Sequence, residues 1–513
     1  MQSRVFFISN TGDDSNSGTS ENNAWRTIQK VSSFKFKPGD IIQFRGGDLF
    51  TGNLLFNDEE GTETDPIEIT SYGFGSAILQ CNSDNCITII NKGGFLIHNL
   101  EIKGIYDPDI HYSKKHNKGY NGIVIFTYGK KTSPLITIKN CVLRNFKDNA
   151  ISIGGDSKSK SGYSIITVVN NLIYDCGDIG IKFWGLQYNK ILISGNTIYN
   201  IKGVNPHLHG FSGNGISMSH IYGAEIERNL IYNNGKYAKH SGGGIVTGES
   251  RSIIVRYNEI YGIKSNDVDG DAIDFDNGSD SCIAEYNYTH QNDGAGVLIS
   301  GENKGSGSDN NIVRYNISKN DGLKNDLGAV QIYSLVGADN NRIYNNTIIS
   351  TAIGKNSPAC FKIQGSTTNT FFENNILITV NSALFINIDV TEQTNLIVRS
   401  NSYFHKDGIF AIIWGRKVYK SYENFIKGTG QEFFNSIETG ILGNPQLKNP
   451  LTNIDTVNNA YKIDTLSSYK LYSFSPLINK GTNIQSVFLE AEKDFYGSNL
   501  TLENPPDIGA HEY

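Results

Sequence analysis

The sequence predicts an all-β fold, a single-stranded parallel β-helix of about 10 to 12 coils, and two patterns support it. A short motif, mostly Gly or Ala followed by alternating apolar residues, recurs ten times between residues 122 and 387. Each copy precedes a second strand-like run that ends in asparagine, and from Asn229 to Asn375 the successive asparagines are 29, 29, 29, 30 and 29 residues apart. Three short strands per unit of about 30 residues, with a polar residue at the same turn, is typical of one coil.

The recurring asparagine is predicted to be structural. Coils of a β-helix stack about 4.8 Å apart, so equivalent residues form columns. Stacked side-chain amides can hydrogen-bond to the backbone of the next coil and to one another. The predicted column contains Asn140, Asn171, Asn196, Asn229, Asn258, Asn287, Asn316, Asn346, Asn375 and Asn401.

Both ends of the solenoid are predicted to be capped, because an uncapped end exposes the apolar core. A helix over about residues 23–33 would place Trp25, Ile28 and Val31 on one face. Beyond about residue 405 the regular pattern fades. The predicted domains are an N-terminal cap with the first strands over 1–50, the β-helix over 51–404, and a C-terminal cap or small appended module over 405–513.

Composition and charge narrow the class of partner. The chain has 45 Lys and Arg against 51 Asp and Glu and no basic tract, so nucleic acid is not a predicted partner. No apolar run approaches the roughly 20 residues that span a bilayer, and the N-terminus lacks a signal-peptide pattern. Among six cysteines, Cys81 and Cys86 could close a small loop in an oxidising compartment, and the other four are predicted to be buried small hydrophobes.

The first strand of each coil predicts a binding groove. Its apolar residues alternate with residues that point outward, and long polar segments precede several of these strands, so they would form a raised wall beside the outer face. Such a cleft suits an extended chain, and aromatic and hydrogen-bonding side chains suit sugar rings. The predicted substrate-binding residues are Lys182, Trp184, His220, Gln331, Tyr333 and Lys362.

The segment "DVDGDAIDFDNGSD" at residues 267–280 contains the predicted catalytic acids. Its two central apolar residues point inward, so Asp274 and Asp276 should project together from the groove floor, about 7 Å apart by strand geometry. Glu249 lies one coil earlier and is expected beside Asp276. Carboxylates retained so close together usually hold a proton or a cation. We therefore predict that Asp274, Asp276 and Glu249 are catalytic.

The opening "FFISNTGDDSNSGTSENNAWRTIQKV", the coils with their asparagine turns and the closing "PDIGAHEY" resemble right-handed parallel β-helix proteins of the polysaccharide lyase and glycoside hydrolase type. The resemblance covers nearly the whole chain. It implies an extended polysaccharide or oligosaccharide as partner and an extracellular or cell-surface location. The same scaffold also carries epimerases, phage tailspikes and adhesins, so the resemblance is specific for the fold and not for one reaction.

Two chemistries fit the acid cluster. In a hydrolase, one protonated carboxyl donates to the glycosidic oxygen while an ionised one activates water, and no cofactor is required. The estimated spacing favours inversion, for which about 6.5 to 9.5 Å is typical. Alternatively, Asp269 and Asp271 could join the pair as Ca²⁺ ligands, as the resemblance to calcium-dependent pectate and alginate lyases implies.

A lyase also needs a basic residue beside the carboxylates. Lys182 and Lys362 each lie three coils from the acids, about 14 Å by coil spacing. Loop residues that could serve instead are Lys264, His209, His220, His240 and His290. We predict an endo-acting glycoside hydrolase, with a calcium-dependent lyase or C5-epimerase and a non-catalytic glycan-binding or tailspike-like protein as alternatives. The expected state is a monomer or homo-oligomer, a trimer if tailspike-like.

Overall fold

The computed structural model describes residues 3–81, 84–107, 109, 120–129, 132–156, 161–186, 190–203, 212–239, 242–267, 269–302, 307–390, 393–452, 456–483, 493–500 and 504–513. The chain divides into two compact units, Met1–Asn229 with Asn233–Gly242 (unit 1) and Leu230–Tyr232 with Gly243–Tyr513 (unit 2). Within each unit, three short strands per coil stack in parallel on the strands of the preceding coil and form three long sheets. The predicted all-β parallel β-helix is confirmed.

Unit 1 contributes strands to all three sheets. The first sheet, formed by the opening strand of each coil, contains Leu54–Phe56, Ile87–Ile90, Ile123–Thr127, Ile151–Gly155, Ile179–Trp184 and Asn214–Ser219. The second contains Val5–Ile8, Ile41–Arg45, Ile67–Tyr72, Phe95–His98, Ile136–Lys139, Ile165–Val169, Lys190–Ser194 and Tyr222–Glu227. The third contains Leu49–Thr51, Ala77–Gln80, Leu100–Lys103, Val142–Arg144, Leu172–Tyr174 and Thr197–Tyr199. A separate parallel pair joins Thr132–Ser133 to Gly162–Tyr163.

Unit 2 repeats the arrangement. Its first sheet contains Ile245–Gly248, Ile273–Asp276, Val297–Gly301, Gly328–Ser334, Ala359–Gly365, Leu384–Ile388, Ile412–Trp414 and the antiparallel Lys417–Tyr419. The second contains Arg251–Arg256, Ile283–Glu285, Ile312–Arg314, Arg342–Tyr344, Phe371–Glu373 and Ile397–Arg399. The third contains Leu230–Tyr232, Glu259–Tyr261, Tyr288–His290, Ile317–Lys319, Thr347–Thr351, Ile376–Val380, Ser402–His405 and Ile441–Leu442. A small antiparallel pair joins Phe433–Phe434 to Ile437–Glu438.

The helix predicted near the N-terminus is shorter than expected. A 3₁₀ turn spans Glu21–Asn23 and an α-helix spans Ile28–Ser33. The side chain of Thr27 begins the α-helix by accepting a hydrogen bond from a backbone N–H of the first turn, as N-cap residues do. Trp25 and the two apolar residues predicted beside it are buried, and the Trp25 ring stacks on Phe6.

The C-terminal segment contains the remaining helices of the described residues. An α-helix spans Tyr422–Thr429, and 3₁₀ helices span Ala460–Thr465 and Ser467–Tyr469. Apolar side chains of this segment pack against the third sheet of unit 2, where Tyr469 and Leu471 are buried. None of the helices described here is long and apolar enough to cross a bilayer.

The asparagine column forms a ladder of side-chain amides. At each step within a unit, the backbone N–H and the Nδ2 of one asparagine both donate to Oδ1 of the asparagine in the next coil, at 2.9–3.1 Å. Unit 2 ends its ladder where Asn401 Nδ2 donates to Glu432 Oε1 at 2.9 Å. The members are Asn171, Asn196 and Asn229 in unit 1, and Asn258, Asn287, Asn316, Asn346, Asn375 and Asn401 in unit 2.

One predicted member of the ladder is wrong by one residue. Cys141, not Asn140, occupies the ladder position, because its backbone N–H donates to Asn171 Oδ1 at 3.0 Å. Asn140 has a φ of 53° and matches Asn170, which has a φ of 55°. Asparagine occupies this left-handed position readily because its short polar side chain bonds locally.

The cysteines behave as predicted. Cys81 and Cys86 form a disulfide with their Cα atoms 5.1 Å apart. The other four, Cys141, Cys176, Cys282 and Cys360, are free and buried.

Candidate active site

The strand Ile273–Asp276 separates two kinds of side chain. Ile273 and Phe275 are fully buried in the core, and the aspartates between and after them lie on the outer face. In the previous coil, Gly248 pairs with Asp276. A Cβ built on Gly248 would meet no atom within 4 Å, so the space beside Asp276 is open.

Asp274 is buried although it faces away from the core. Its side chain is only 7% exposed, and among the described residues its Oδ1 has no hydrogen-bond partner. Burial raises the pKa of Asp274 well above its ordinary value, and the nearby carboxylates of Asp276 and Asp271 raise it further. A carboxylate with a bare buried oxygen costs far more ionised than protonated, so this environment favours the protonated form of Asp274.

Asp276 is more accessible and better supported. Its Oδ1 accepts hydrogen bonds from the backbone N–H of Asn277 at 2.9 Å and from Asn277 Nδ2 at 2.7 Å. Burial raises the pKa of Asp276 to about 6, the Asn277 bond lowers it, and the charge of Glu302 raises it. The Ser300 side chain also bonds the carboxylate. A carboxyl with that pKa is mostly ionised at neutral pH, whereas the environment of Asp274 favours the protonated form.

Glu249 lies just past the end of the strand Ile245–Gly248, as the sequence predicted. Gly248 stands opposite Asp276, and the backbone N–H of Glu249 donates to the carbonyl of Asn277 at 2.7 Å. Glu249 is exposed and adopts a left-handed φ of 47°. Its catalytic role stays a prediction.

Glu302 is not among the predicted site residues, yet its charge, followed by that of Asp269, raises the pKa of Asp276. It follows the strand Val297–Gly301, and its backbone N–H donates to Asn277 Oδ1 at 2.8 Å. Its side chain bonds Ser300, and burial together with Asp269 raises its own pKa. The signal in the sequence is an acid directly after the equivalent strand of the following coil, as Glu249 is after the strand of the preceding coil.

The predicted calcium ligands occupy different environments. Asp271 is buried and its carboxylate accepts a hydrogen bond from the backbone N–H of Ala295. Burial, followed by the charge of Asp269, raises the pKa of Asp271 well above its ordinary value. Asp269 is half-buried with a φ of 68°. Across the described ranges, no three His, Cys, Asp or Glu side chains are grouped to hold a metal ion.

Two candidate bases of a lyase are paired or buried. Lys264 Nζ pairs with Asp293 Oδ1 at 2.7 Å. His290 is fully buried with its ring stacked on Tyr261. Two further candidates, His209 and His240, lie outside the described residues.

In unit 2, the predicted substrate-binding residues all lie in the outer columns. They differ in how far each side chain can contact a ligand. Gln331 pairs with Lys362, as the sequence predicted. Gln331 is buried and its Oε1 accepts the Gly328 N–H at 2.9 Å, so it supports its own strand. Lys362 Nζ donates to a backbone carbonyl at 2.9 Å, and burial lowers its pKa. Tyr333 is half-buried and pairs with Ser300 of the acid cluster.

In unit 1, the remaining predicted residues lie on the first sheet or directly after it. Lys182 and Trp184 belong to the strand Ile179–Trp184 and are half-buried. The Trp184 ring stacks on Phe126. His220 follows the next strand, and its Nδ1 lies 2.9 Å from the Ser219 hydroxyl.

The fold and the carboxylate strand define a parallel β-helix with a polar site on its outer face, and comparison with known proteins agrees. The family described as "Right handed beta helix region" matches residues 85–266, in agreement with the predicted right-handed parallel β-helix.

Individual relatives are distant. A lacto-N-biosidase of Bifidobacterium longum subsp. longum is 24% identical over 476 residues, which cover 73% of this chain and 29% of that protein. The chain thus spans less than a third of the length of that relative. A solved GH136 lacto-N-biosidase of Eubacterium ramulus has a TM-score of 0.50 at 17% identity, over 76% of this chain and 67% of the other. The pectate lyase Pel9A has a TM-score of 0.49 at 12% identity, over 100% and 96%.

Proposed function

We propose that the protein is a glycoside hydrolase whose acid–base pair is Asp274 and Asp276. The observation that carries the proposal is the separation of their pKa values by environment: Asp274 is buried with an unpartnered oxygen, and Asp276 is half-buried and hydrogen-bonded. Two carboxyl groups in one site with opposite protonation states at neutral pH are the requirement of glycosidic cleavage.

Each carboxyl has a distinct role. Protonated Asp274 donates its proton to the glycosidic oxygen as the leaving group departs. Ionised Asp276 either accepts a proton from the attacking water or attacks the anomeric carbon itself. Asn277 and Ser300 hold the Asp276 carboxylate in place. The similarity to a lacto-N-biosidase supports this reaction class and makes glycans with lacto-N-bioside units the first substrates to test.

A secreted or surface location belongs to the same proposal. Glycan polymers lie mainly outside the cell, and the Cys81–Cys86 disulfide persists most readily in an oxidising compartment. The four free cysteines are all buried and would be protected there from oxidation.

The decisive experiment is a glycan panel that includes p-nitrophenyl lacto-N-bioside, neutral plant polysaccharides and uronate polymers. New reducing ends and the ultraviolet absorbance of an unsaturated product are followed together, with and without EDTA. We expect reducing ends without the ultraviolet signal, and no effect of EDTA. Ultraviolet absorbance together with loss of activity in EDTA would establish a calcium-dependent lyase instead. Binding without any product would indicate a non-catalytic glycan-binding protein.

A further inference from the structure

An aromatic cluster on the first sheet of unit 1 has no role in the core. Phe126, Gly154 and Trp184 occupy one outward column in three successive coils, because Phe126 pairs with Gly154 and Gly154 pairs with Trp184. The inward residues of the same strands are buried, and except for Thr127 and Gly155 they are aliphatic or aromatic. The core is therefore complete without these outward rings.

Gly154 allows the two rings to meet. A Cβ on Gly154 would lie 2.0 Å from an indole carbon of Trp184, so the indole covers the glycine. The Trp184 ring thereby comes parallel to that of Phe126, with centroids 5.9 Å apart and an interplanar angle of 14°. Tyr128 extends the surface, with its ring 5.8 Å from Phe126 and 56% of the residue exposed.

The surroundings of this cluster are polar. Lys182 lies in the adjacent outward column between Ser152 and Ser217 of the neighbouring coils. The ammonium of Lys182 and the hydroxyl of half-buried Ser217 beside an aromatic surface match a pyranose, whose C–H face packs on a ring while its hydroxyls need partners. An apolar peptide or lipid would leave this polar column unpaired.

We propose that Phe126, Tyr128 and Trp184 form a sugar-stacking platform that binds one pyranose ring of the glycan, with Lys182 donating to a hydroxyl. The ligand class rests on the proposed function. The platform itself rests on the ring geometry and on the gap that Gly154 leaves.

Binding is measured with the Asp274→Asn variant, which is expected to prevent turnover. Linear neutral hexasaccharides of different linkage are titrated by calorimetry and by tryptophan fluorescence. Trp184→Ala should weaken binding of the best ligand at least about fivefold, and Trp184→Phe should restore part of it. Undiminished affinity in Trp184→Ala, or no binding of any hexasaccharide, would overturn the platform.

Two glycine variants test the geometry without removing the ring. Gly154→Ala places a Cβ where the indole lies, so it should shift the Trp184 emission and weaken binding as Trp184→Ala does. Gly248→Ala is the matched control, since it adds the same Cβ to an outward strand position with open space, and it should leave the Trp184 emission unchanged. Equal emission spectra for both variants would contradict the arrangement.

The platform and the hydrolase proposal can fail separately. If no glycan is cleaved but hexasaccharide binding depends on Trp184, the platform stands and the hydrolase proposal fails. If glycans are cleaved and Trp184→Ala has an unchanged affinity for the hexasaccharide, the hydrolase proposal stands and the platform is wrong.

Discussion

Two sets of buried polar side chains in unit 2 differ in how their hydrogen bonds are satisfied. In the asparagine ladder, the Oδ1 of Asn316 accepts two hydrogen bonds from Asn287, and its Nδ2 donates to Asn346 Oδ1 and to backbone carbonyls. In the acid strand, Asp274 is almost as deeply buried, yet its Oδ1 has no partner among the described residues. The ladder is a saturated network and the acid strand is not.

This difference distinguishes polar groups that stabilise the fold from polar groups that take part in the reaction. A buried polar group with all its partners stabilises one conformation, whereas a buried group without a partner reduces stability. A buried carboxyl without a partner avoids the large cost of burying an unpaired charge if it remains protonated. We therefore infer that the ladder holds the coils in register, and that Asp274 retains a proton that the reaction uses.

The largest effect is expected for Asp274→Asn. The amide has nearly the shape of the protonated carboxyl but cannot donate an acidic proton, so activity should fall about 10²- to 10⁴-fold. The free energy of unfolding should change by less than about 1 kcal/mol. Steady-state kinetics measure the loss of activity, and denaturant unfolding measures the change in the free energy of unfolding. Asp280→Asn, which removes an acid that pairs with Arg251, is the control and should keep activity.

Asn316→Ala should show the opposite pattern. It deprives two donors of Asn287 of their acceptor in the interior, so the free energy of unfolding should fall by about 3 kcal/mol. Turnover per folded molecule should be unchanged. Asn387→Ala, on the outer face of the strand Leu384–Ile388, is the matched control and should cost less than about 0.5 kcal/mol. Equal midpoints for both variants in urea would refute the structural role of the ladder.

The pH dependence of stability tests Asp276. Its folded pKa of about 6 lies above the unfolded value of about 3.9, so the native state binds more protons between those pH values. The contribution of Asp276 to the free energy of unfolding is fully present below about pH 4. It is lost as the pH rises to about 6, and the loss amounts to at most about 3 kcal/mol. Asp276→Asn removes this loss and should become more stable relative to the unmodified protein across that window. If Asp276→Asn instead became less stable than the unmodified protein as the pH rises through this window, the raised pKa of Asp276 would be contradicted.

The smallest effect is expected for Glu302→Gln. The negative charge of Glu302 raises the pKa of Asp276, so its removal should move the acidic limb of the kcat/KM profile to lower pH by several tenths of a unit. Glu249→Gln is the comparison variant, because the backbone of Glu249 pairs with Asn277 and not with Asp276. A shift in Glu249→Gln but not in Glu302→Gln would favour Glu249 as the acid that acts on Asp276.

The periodic features of the molecule could be predicted from the sequence. Alternation places Ile273 and Phe275 inside and their aspartate neighbours outside, and the structure pairs the outward columns in the expected order. Regular asparagine spacing fixes the ladder because each coil repeats one backbone conformation. Errors occur where asparagine is found at two adjacent positions of the repeat. Asn140 matches the left-handed position before the ladder, and Cys141 occupies the ladder position itself.

The site could be predicted only in part, because burial on the outer face is not periodic. Alternation shows that Asp274 leaves the core, but not that it is covered. The positions of Glu249 and Glu302 depend on where each strand ends, and a change of one residue moves a side chain to a different neighbour. Gln331 lies in the right column but supports its own backbone.

The most direct test of the central claim is the protonation state of Asp274 in the intact protein. Infrared difference spectra of the protein against Asp274→Asn at neutral pH report whether a carbonyl stretch of a protonated carboxylic acid is present. We expect that band in the unmodified protein and its absence in the variant. A difference spectrum with only carboxylate bands would show that Asp274 is ionised and would contradict its role as the proton donor.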